Sequence, residues 1–156
     1  MKKMIILLML GSMLLVGCSS KEEEKAKAKN LLCKLSYTSS QIEEEVEIEV
    51  DSDGTITKII KRKEAALADY LFERNSVEEL EQLYKDDYIN PNREQKGLTF
   101  DISVNEQEKK LVVVIAIDPT EVSQLDMNDL GLKEYTDSSK LENLLKSEGY
   151  SCEEME

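Results

Sequence analysis

The side chains with the most distinctive chemistry are three cysteines, at positions 18, 33 and 152. A thiol can carry a lipid, form a disulfide or bind a metal ion. Cys18 directly follows an apolar segment near the N-terminus, whereas Cys33 and Cys152 lie near opposite ends of the remaining chain. Cys18 therefore stands apart from the other two cysteines, and we expect one kind of chemistry for Cys18 and another for that pair.

The segment before Cys18 has the layout of a lipoprotein signal peptide. A lysine-bearing start precedes the mostly apolar run 4–16, which is too short to span a hydrocarbon core of about 30 Å as a helix. Leu-Val-Gly-Cys at 15–18 resembles the lipobox, in which lipid is attached to the cysteine sulfur and the chain is cleaved just before it. We predict a signal peptide over 1–17 and diacylglyceryl, with an optional N-acyl chain, on Cys18. An ordinary secretory signal or an N-terminal anchor helix is the alternative.

The two remaining cysteines form an even pair in a chain that this signal would send outside the cytoplasm. One disulfide is the simplest account of such a pair, so we predict a Cys33–Cys152 bridge. Two separate buried thiols, or a weaker two-cysteine metal site, are the alternatives.

The mature chain divides into a spacer and a domain. Residues 18–29 are polar and charged after the cysteine and cannot bury enough surface to offset ordering, which predicts a flexible tether. A helical extension is the alternative, because Glu, Lys and Ala favour helix. Residues 30–156 amount to a single domain.

Carboxylates are abundant but lack the partners that most catalysis near neutral pH uses. The sequence has 33 acidic residues, no histidine and no tryptophan. Imidazole serves most acid–base, triad and zinc chemistry, and aromatic platforms usually line sugar clefts. We therefore expect no catalytic residues and no enzyme. A hydrolase that uses carboxylates alone is the less favoured alternative.

Net charge limits the partners. Removing residues 1–17 takes away two lysines and leaves 18 basic against 33 acidic side chains, a formal charge of −15. Nucleic-acid binding needs a basic face, so we exclude it. The expected membrane contact is the lipid anchor rather than a polybasic patch, and the ligand or protein partner is unknown.

The clearest strand carries its acidic residues on one side. In the segment 42–50 the apolar residues mostly share one parity, which predicts one face in the core and one in water. The second face is a candidate acidic interaction surface, with a solvated charge run as the alternative. It consists of Glu43, Glu45, Glu47 and Glu49.

The turn after this strand is a weak match to a calcium-binding loop. Asp51-Ser52-Asp53-Gly54 has acidic residues at alternating positions, but the position that needs a bidentate glutamate is Ile60 and the flanks are strands. We favour a plain hairpin turn and expect no metal site.

Other segments complete an α+β pattern. Residues 64–75 are ambiguous, because Glu64 to Ala68 favours helix while Tyr70 to Phe72 fits a strand or a loop. We expect a helical turn from Asp118, an irregular connection over 126–135, and a short edge strand or pinned tail at 150–152. Strands are predicted over 30–37, 42–50, 55–63, 98–104 and 110–117, the last covered on both faces, and helices over 76–88 and from Asp137 to Gly149. The fold class is α+β: a mostly antiparallel β-sheet of five or six strands with two main helices on one face.

Together these features resemble the YehR-like lipoproteins, small bacterial lipoproteins grouped as a domain of unknown function. The resemblance covers nearly the whole mature chain and implies an α+β fold and a surface lipoprotein, without established catalytic residues. Tyr70-Leu71-Phe72 departs from the lysine- and threonine-rich loop expected there. The residues that carry the resemblance are the lipobox, the cysteine-bearing strand 31–37, the glutamate-rich hairpin, the helix 76–88, Ile117-Asp118 and Leu-Leu-Lys-Ser-Glu-Gly-Tyr at 144–150.

The expected function is that of a lipid-anchored module at the extracytoplasmic face of a bacterial cell membrane. A non-catalytic binding or adaptor role is favoured by the lipid address, the lack of histidine and the small domain. A structural or interaction protein of the cell envelope, meeting a cationic partner through its acidic face, is the first alternative, and the carboxylate-only hydrolase is the second.

Overall fold

An antiparallel sheet with helices on one face makes up the part of the chain described by the computed structural model, residues 29–37, 39–91, 94–133 and 135–155. The predicted signal peptide, Cys18 and the tether up to residue 28 lie outside the described residues. The elements are β1 (Leu31–Tyr37), β2 (Ile42–Val50), β3 (Ile56–Ala66), α1 (Asp69–Arg74), α2 (Val77–Tyr88), β4 (Leu98–Asn105), β5 (Lys110–Ile117), α3 (Gln124–Asp129), α4 (Ser138–Ser147) and β6 (Ser151–Glu154).

The six strands lie in the order β4-β5-β3-β2-β1-β6, and every neighbouring pair is antiparallel. β1, β2 and β3 form an antiparallel meander, and β4 and β5 form a hairpin beside it. The C-terminal strand β6 returns to pair with β1, so the two ends of the domain meet at one edge of the sheet.

The core lies between one face of the sheet and the helices. Alternation in β2 buries Val46 and Ile48 completely and turns the flanking glutamates outward. Leu80 of α2 and Leu141 and Leu145 of α4 complete this core. The predicted α+β class, with its antiparallel sheet and its two main helices, is confirmed.

The end of β3 differs from the expectation. Residues 64–66, which favour helix by composition, extend the strand because Ala65 pairs with Ile42 on one side and with Leu111 on the other. Pairing on both sides outweighs local propensity here. The following α1 includes Tyr70 to Phe72, so this segment is helical rather than a strand or loop.

β5 is an inner strand, as predicted, but the expectation that both its faces are covered is wrong. Its odd-numbered residues are buried, whereas Val112, Val114 and Ala116 remain half-exposed. Arg62 and Glu64 lie beside these valines on β3. The aliphatic parts of such long side chains can cover part of an apolar surface without a second layer of helices.

Both predicted helix starts are confirmed. Ser76 accepts a hydrogen bond of 3.2 Å from the backbone N–H of Glu79, whose carboxylate accepts one of 2.8 Å from the backbone N–H of Ser76. The Asp137 carboxylate caps α4 by accepting a hydrogen bond of 3.1 Å from the backbone N–H of Lys140. The predicted helical turn from Asp118 is present as a single turn, in which the backbone N–H groups of Glu121 and Val122 donate to the Asp118 carbonyl. The connection 126–135 is not wholly irregular as expected, because it includes the last residues of α3, which begins after Ser123.

Candidate functional site

The four predicted glutamates project from the open face of the sheet, the face that points away from the helices. Because side chains alternate along a strand, the odd-numbered positions of β2 share this face, and all four are exposed or half-exposed. The structure therefore brings Glu43, Glu45, Glu47 and Glu49 together, while Glu44 turns to the core side.

Basic side chains from neighbouring strands contact two of these glutamates. Lys34 of β1 lies 3.5 Å from a carboxylate oxygen of Glu45, and Lys58 of β3 lies 2.9 Å from one of Glu49. The hydrogen bond that Lys58 donates to Glu49, and the charge of the Glu49 carboxylate, raise the pKa of the Lys58 ammonium. Strand register places Lys58 directly opposite Glu49.

Glu64 of β3 occupies a second ion-pair network on the same face. The guanidinium of Arg62 lies 2.7 Å from Glu64 and the ammonium of Lys110 lies 3.2 Å from it. These hydrogen bonds hold the pKa of the Glu64 carboxyl below its usual range, and the same contact raises the pKa of Lys110. Arg62 is opposite Glu45 in register but binds Glu64 on its own strand instead.

Cations offset part of the negative charge of the open face. Over the six strands this face carries seven carboxylates, because Asp101 of β4 and Glu153 of β6 also lie on it, and four cationic groups, which leaves three net negative charges. Among the described residues, Glu43 and Glu47 have no ion pair within 4.0 Å. These two glutamates are therefore the acidic groups on β2 best placed to meet a charge from outside.

An apolar strip crosses the centre of this face. Register places Ile60 of β3 beside Ala116 of β5, and Val112 and Val114 continue along β5. All four are half-exposed. We call these residues the apolar strip; it gives the open face an apolar surface beside its charges.

A polar cluster that the sequence did not reveal lies on the opposite, helix-covered face. The side chain of Glu44 is 15% exposed and lies 3.7 Å from the ammonium groups of both Lys61 and Lys63. The hydroxyl of Tyr150 donates a hydrogen bond of 2.7 Å to the same carboxylate. Lys61 also donates to the carbonyl of Leu130 at 3.0 Å. The parity of Glu44, which matches Ile42 and Val46 rather than its glutamate neighbours, was the available signal.

Four cavities lie on the described part of the domain, and two of them bear on function. One of about 500 Å³ is bounded by the end of α2 and by α3; Tyr88, Phe100 and the buried Asp126 are among its lining residues. The hydroxyl of Ser123 donates to the Asp126 carboxylate, so this acid is held by its own helix cap. The other cavity, of about 430 Å³, lies at the end of the open face beside Tyr37 and Glu43.

In the turn that resembles half a calcium loop, the side chain of Asp51 stabilises the turn itself. The Asp51 carboxylate accepts hydrogen bonds of 2.9 Å from the backbone N–H groups of Asp53 and Thr55. Within the described part of the chain, no three His, Cys, Asp or Glu residues are grouped to hold a metal ion.

Cys33 and Cys152 form a disulfide, as predicted. They are directly opposite each other in β1 and β6, with their Cα atoms 4.0 Å apart. Cys18, the predicted lipid-attachment residue, lies outside the described residues. None of the helices that the structure describes is long and apolar enough to cross a membrane.

Comparisons of the chain with protein-family models, curated proteins and solved structures find no match. The resemblance to the YehR-like lipoproteins therefore stays a prediction.

Proposed function

We propose that the chain is the precursor of a bacterial lipoprotein whose α+β domain is a non-catalytic binding or adaptor module at the extracytoplasmic face of the cell membrane. The observation that carries the proposal is the lipobox at 15–18 behind a short apolar signal segment. The Cys33–Cys152 disulfide supports it, because structural disulfides persist mainly in oxidising compartments. The resemblance to the YehR-like lipoproteins is consistent with the same role.

The proposed anchor leaves the domain free to meet partners. The tether, residues 18–29, reaches at most about 40 Å when fully extended. It enters the sheet at Asn30, at the end that also carries the turn Asp51–Gly54 and the C-terminal strand. The cavity beside Tyr37 lies at the other end of the strands, away from the point of attachment.

An intact mass measurement tests the anchor. Protein purified from its own membrane fraction should have the mass of residues 18–156 plus a diacylglyceryl group, with any N-acyl chain added, and should gain two hydrogen atoms on reduction. The Cys18→Ala variant should lack the lipid and keep residues 1–17. A Cys33→Ala variant is the matched control, because it should keep the lipid and lose the mass shift on reduction. An unlipidated native protein would overturn the proposal.

The open face is the surface that we propose for binding, because it combines the apolar strip with two glutamates that lack an ion pair. The test variant carries Glu43→Lys and Glu47→Lys, and breaks no ion pair within the described residues. The control carries Glu73→Lys and Glu106→Lys, which make the same charge change at exposed positions elsewhere. Partner recovery from solubilised envelopes should fall only for the open-face variant. Equal recovery from both variants would exclude an acidic contact.

The first alternative, an envelope interaction protein that meets a cationic partner through these glutamates, predicts a different response at the apolar strip. Val112→Thr with Val114→Thr keeps the strand-favouring β-branched shape while adding hydroxyl groups. Loss of the partner with these changes would favour the binding module. Loss only with the glutamate reversals, together with release by salt, would favour the electrostatic alternative.

The carboxylate-only hydrolase would require two carboxylates that face one substrate. Four aspartates line the cavity of about 500 Å³: Asp86, Asp87, Asp126 and Asp129. Turnover that Asp126→Asn abolishes, in a variant that stays folded, would replace the non-catalytic proposal.

A further inference from the structure

The disulfide is asymmetric in its exposure to solvent. Cys33 is 0% exposed in β1, where it lies beside Val46 of β2 in the core. Cys152 is partly exposed in β6, a four-residue strand at the edge of the sheet that pairs only with β1. The two sulfur atoms of one bond are therefore not equally accessible to a molecule in solution.

We infer that Cys152 is the site at which thiol–disulfide exchange makes and opens this bridge, and that its reaction partner is a disulfide or thiol of an extracytoplasmic oxidoreductase. In the oxidising direction, the Cys152 thiolate attacks the disulfide of the oxidant. A mixed disulfide forms at Cys152, and the second sulfur of the oxidant leaves as a thiolate. Cys33 then loses its proton and attacks the Cys152 sulfur, releasing the first sulfur of the oxidant. Two thiols of this chain are oxidised while one disulfide of the oxidant is reduced to two thiols.

Burial prevents Cys33 from taking the first step. An external disulfide would have to enter the core to reach its sulfur. The strand register favours the second step, because Cys33 lies directly opposite Cys152 and needs no rearrangement to reach it. β6 is the element best able to open locally, since it is short and lies at an edge.

The bridge links the two ends of the described domain. The two cysteines are separated by 119 positions and belong to the first and last strands. They lie directly opposite each other where β6 pairs with β1. The bond therefore fixes the C-terminal strand to the N-terminal one.

Single-thiol variants of the mature chain test the inference, with Cys18→Ala in every protein so that no third thiol reacts. Oxidised glutathione is the probe, and adduct formation is followed by mass. Cys152 in the folded Cys33→Ser variant should form the mixed disulfide at least about tenfold faster than Cys33 in the folded Cys152→Ser variant. In concentrated guanidinium chloride the two rates should converge. Equal rates in the folded proteins, or a faster Cys33, would overturn the inference.

A second measurement keeps the test valid if a single-thiol variant does not fold. The chain with both cysteines is reduced, checked for its native circular dichroism and treated with limiting iodoacetamide, and the labelled peptide is identified. Label should appear first on Cys152, and first labelling of Cys33 would contradict the assignment. The outcome does not depend on the lipid anchor, so it can fail while the proposed function stands; only the cellular location of the oxidant rests on that proposal.

Discussion

The hydroxyl of Tyr150, just before the last strand, lies 2.7 Å from a carboxylate oxygen of Glu44 in the second strand. Tyr150 is buried, and Glu44 is largely shielded from water. Burial, and next the hydrogen bond to Glu44, raise the pKa of the Tyr150 hydroxyl, so it remains a protonated donor over the range in which proteins are usually studied. This contact ties the C-terminal end of the chain to the centre of the sheet.

Tyr150→Phe should lower the free energy of unfolding by about 1.5–3 kcal/mol, the range for a hydrogen bond to a charged group. Because the aromatic ring remains, the loss measures two effects: the missing hydroxyl, and the Glu44 carboxylate that is left without its hydrogen-bond donor. Tyr37→Phe is the matched control; its side chain is 47% exposed, and a change within about 0.5 kcal/mol is expected. Urea unfolding of both variants measures the difference, and similar losses from the two would contradict the assigned role.

The disulfide should stabilise the domain through the long loop that it closes. For a sequence separation of 119, the chain-entropy model gives about 4–5 kcal/mol. Cys33→Ser with Cys152→Ser should therefore lower the urea midpoint strongly, and reductant should lower the midpoint of the native chain to a similar value. Cys18→Ala should leave the midpoint unchanged. Reductant that leaves the native midpoint unchanged would show that the bridge contributes little stability.

Periodicity predicted the fold well wherever one face of a strand is buried. β2 is the clearest case, because its glutamates and apolar residues alternate along the element everywhere except at Glu44. The same periodicity failed at β5, whose continuous apolar sequence indicated two covered faces although one is half-exposed. A run of valines does not distinguish a second layer of helices from partial cover by charged neighbours such as Arg62 and Glu64.

The position of the candidate site was predictable from the sequence, but the ion pairs that offset its charge were not. The sequence placed four glutamates on one face, but which cations reach them depends on strand register and side-chain reach. Arg62 shows the limit: it is opposite Glu45 yet binds Glu64 on its own strand. Glu44 was missed as a buried residue because it lies within an acidic run, and Tyr150 reaches it only through the tertiary fold.

Glu64 should make stability depend on pH on the acid side. Arg62 and Lys110 lower the pKa of its carboxyl in the folded state below the ordinary value of about 4.3. A carboxyl with a depressed folded pKa stabilises the fold above its unfolded pKa, and this contribution is lost as the pH falls through the folded pKa. Glu64→Gln should therefore lower stability near neutral pH and flatten the decline below about pH 4.

The free energy of urea unfolding at several pH values, compared with that of Glu73→Gln, measures the contribution of Glu64. Glu73 is exposed in α1 and has no ion pair among the described residues, so its variant should follow the pH curve of the native protein. A Glu64→Gln variant that also follows the native curve would show that the contacts of Glu64 with Arg62 and Lys110 do not stabilise the folded state.

Two glycines with similar backbone angles should respond differently to alanine. Gly97 and Gly131 have φ values of +71° and +77°, so Ala costs about 1–2 kcal/mol at either position for the left-handed conformation alone. A Cβ at Gly97 would lie 2.7 Å from the backbone nitrogen of Val122 and 2.9 Å from the carbonyl oxygen of Asp118, whereas a Cβ at Gly131 meets nothing within 4 Å. Gly131→Ala therefore isolates the backbone cost, and Gly97→Ala adds a steric clash with backbone that cannot rotate away.

Gly97→Ala should be the more destabilising by at least about 1 kcal/mol in urea unfolding, since forcing atoms into a packed site costs about that much or more. Equal losses would mean that the loop after β5 moves aside at no cost and does not fix the start of β4.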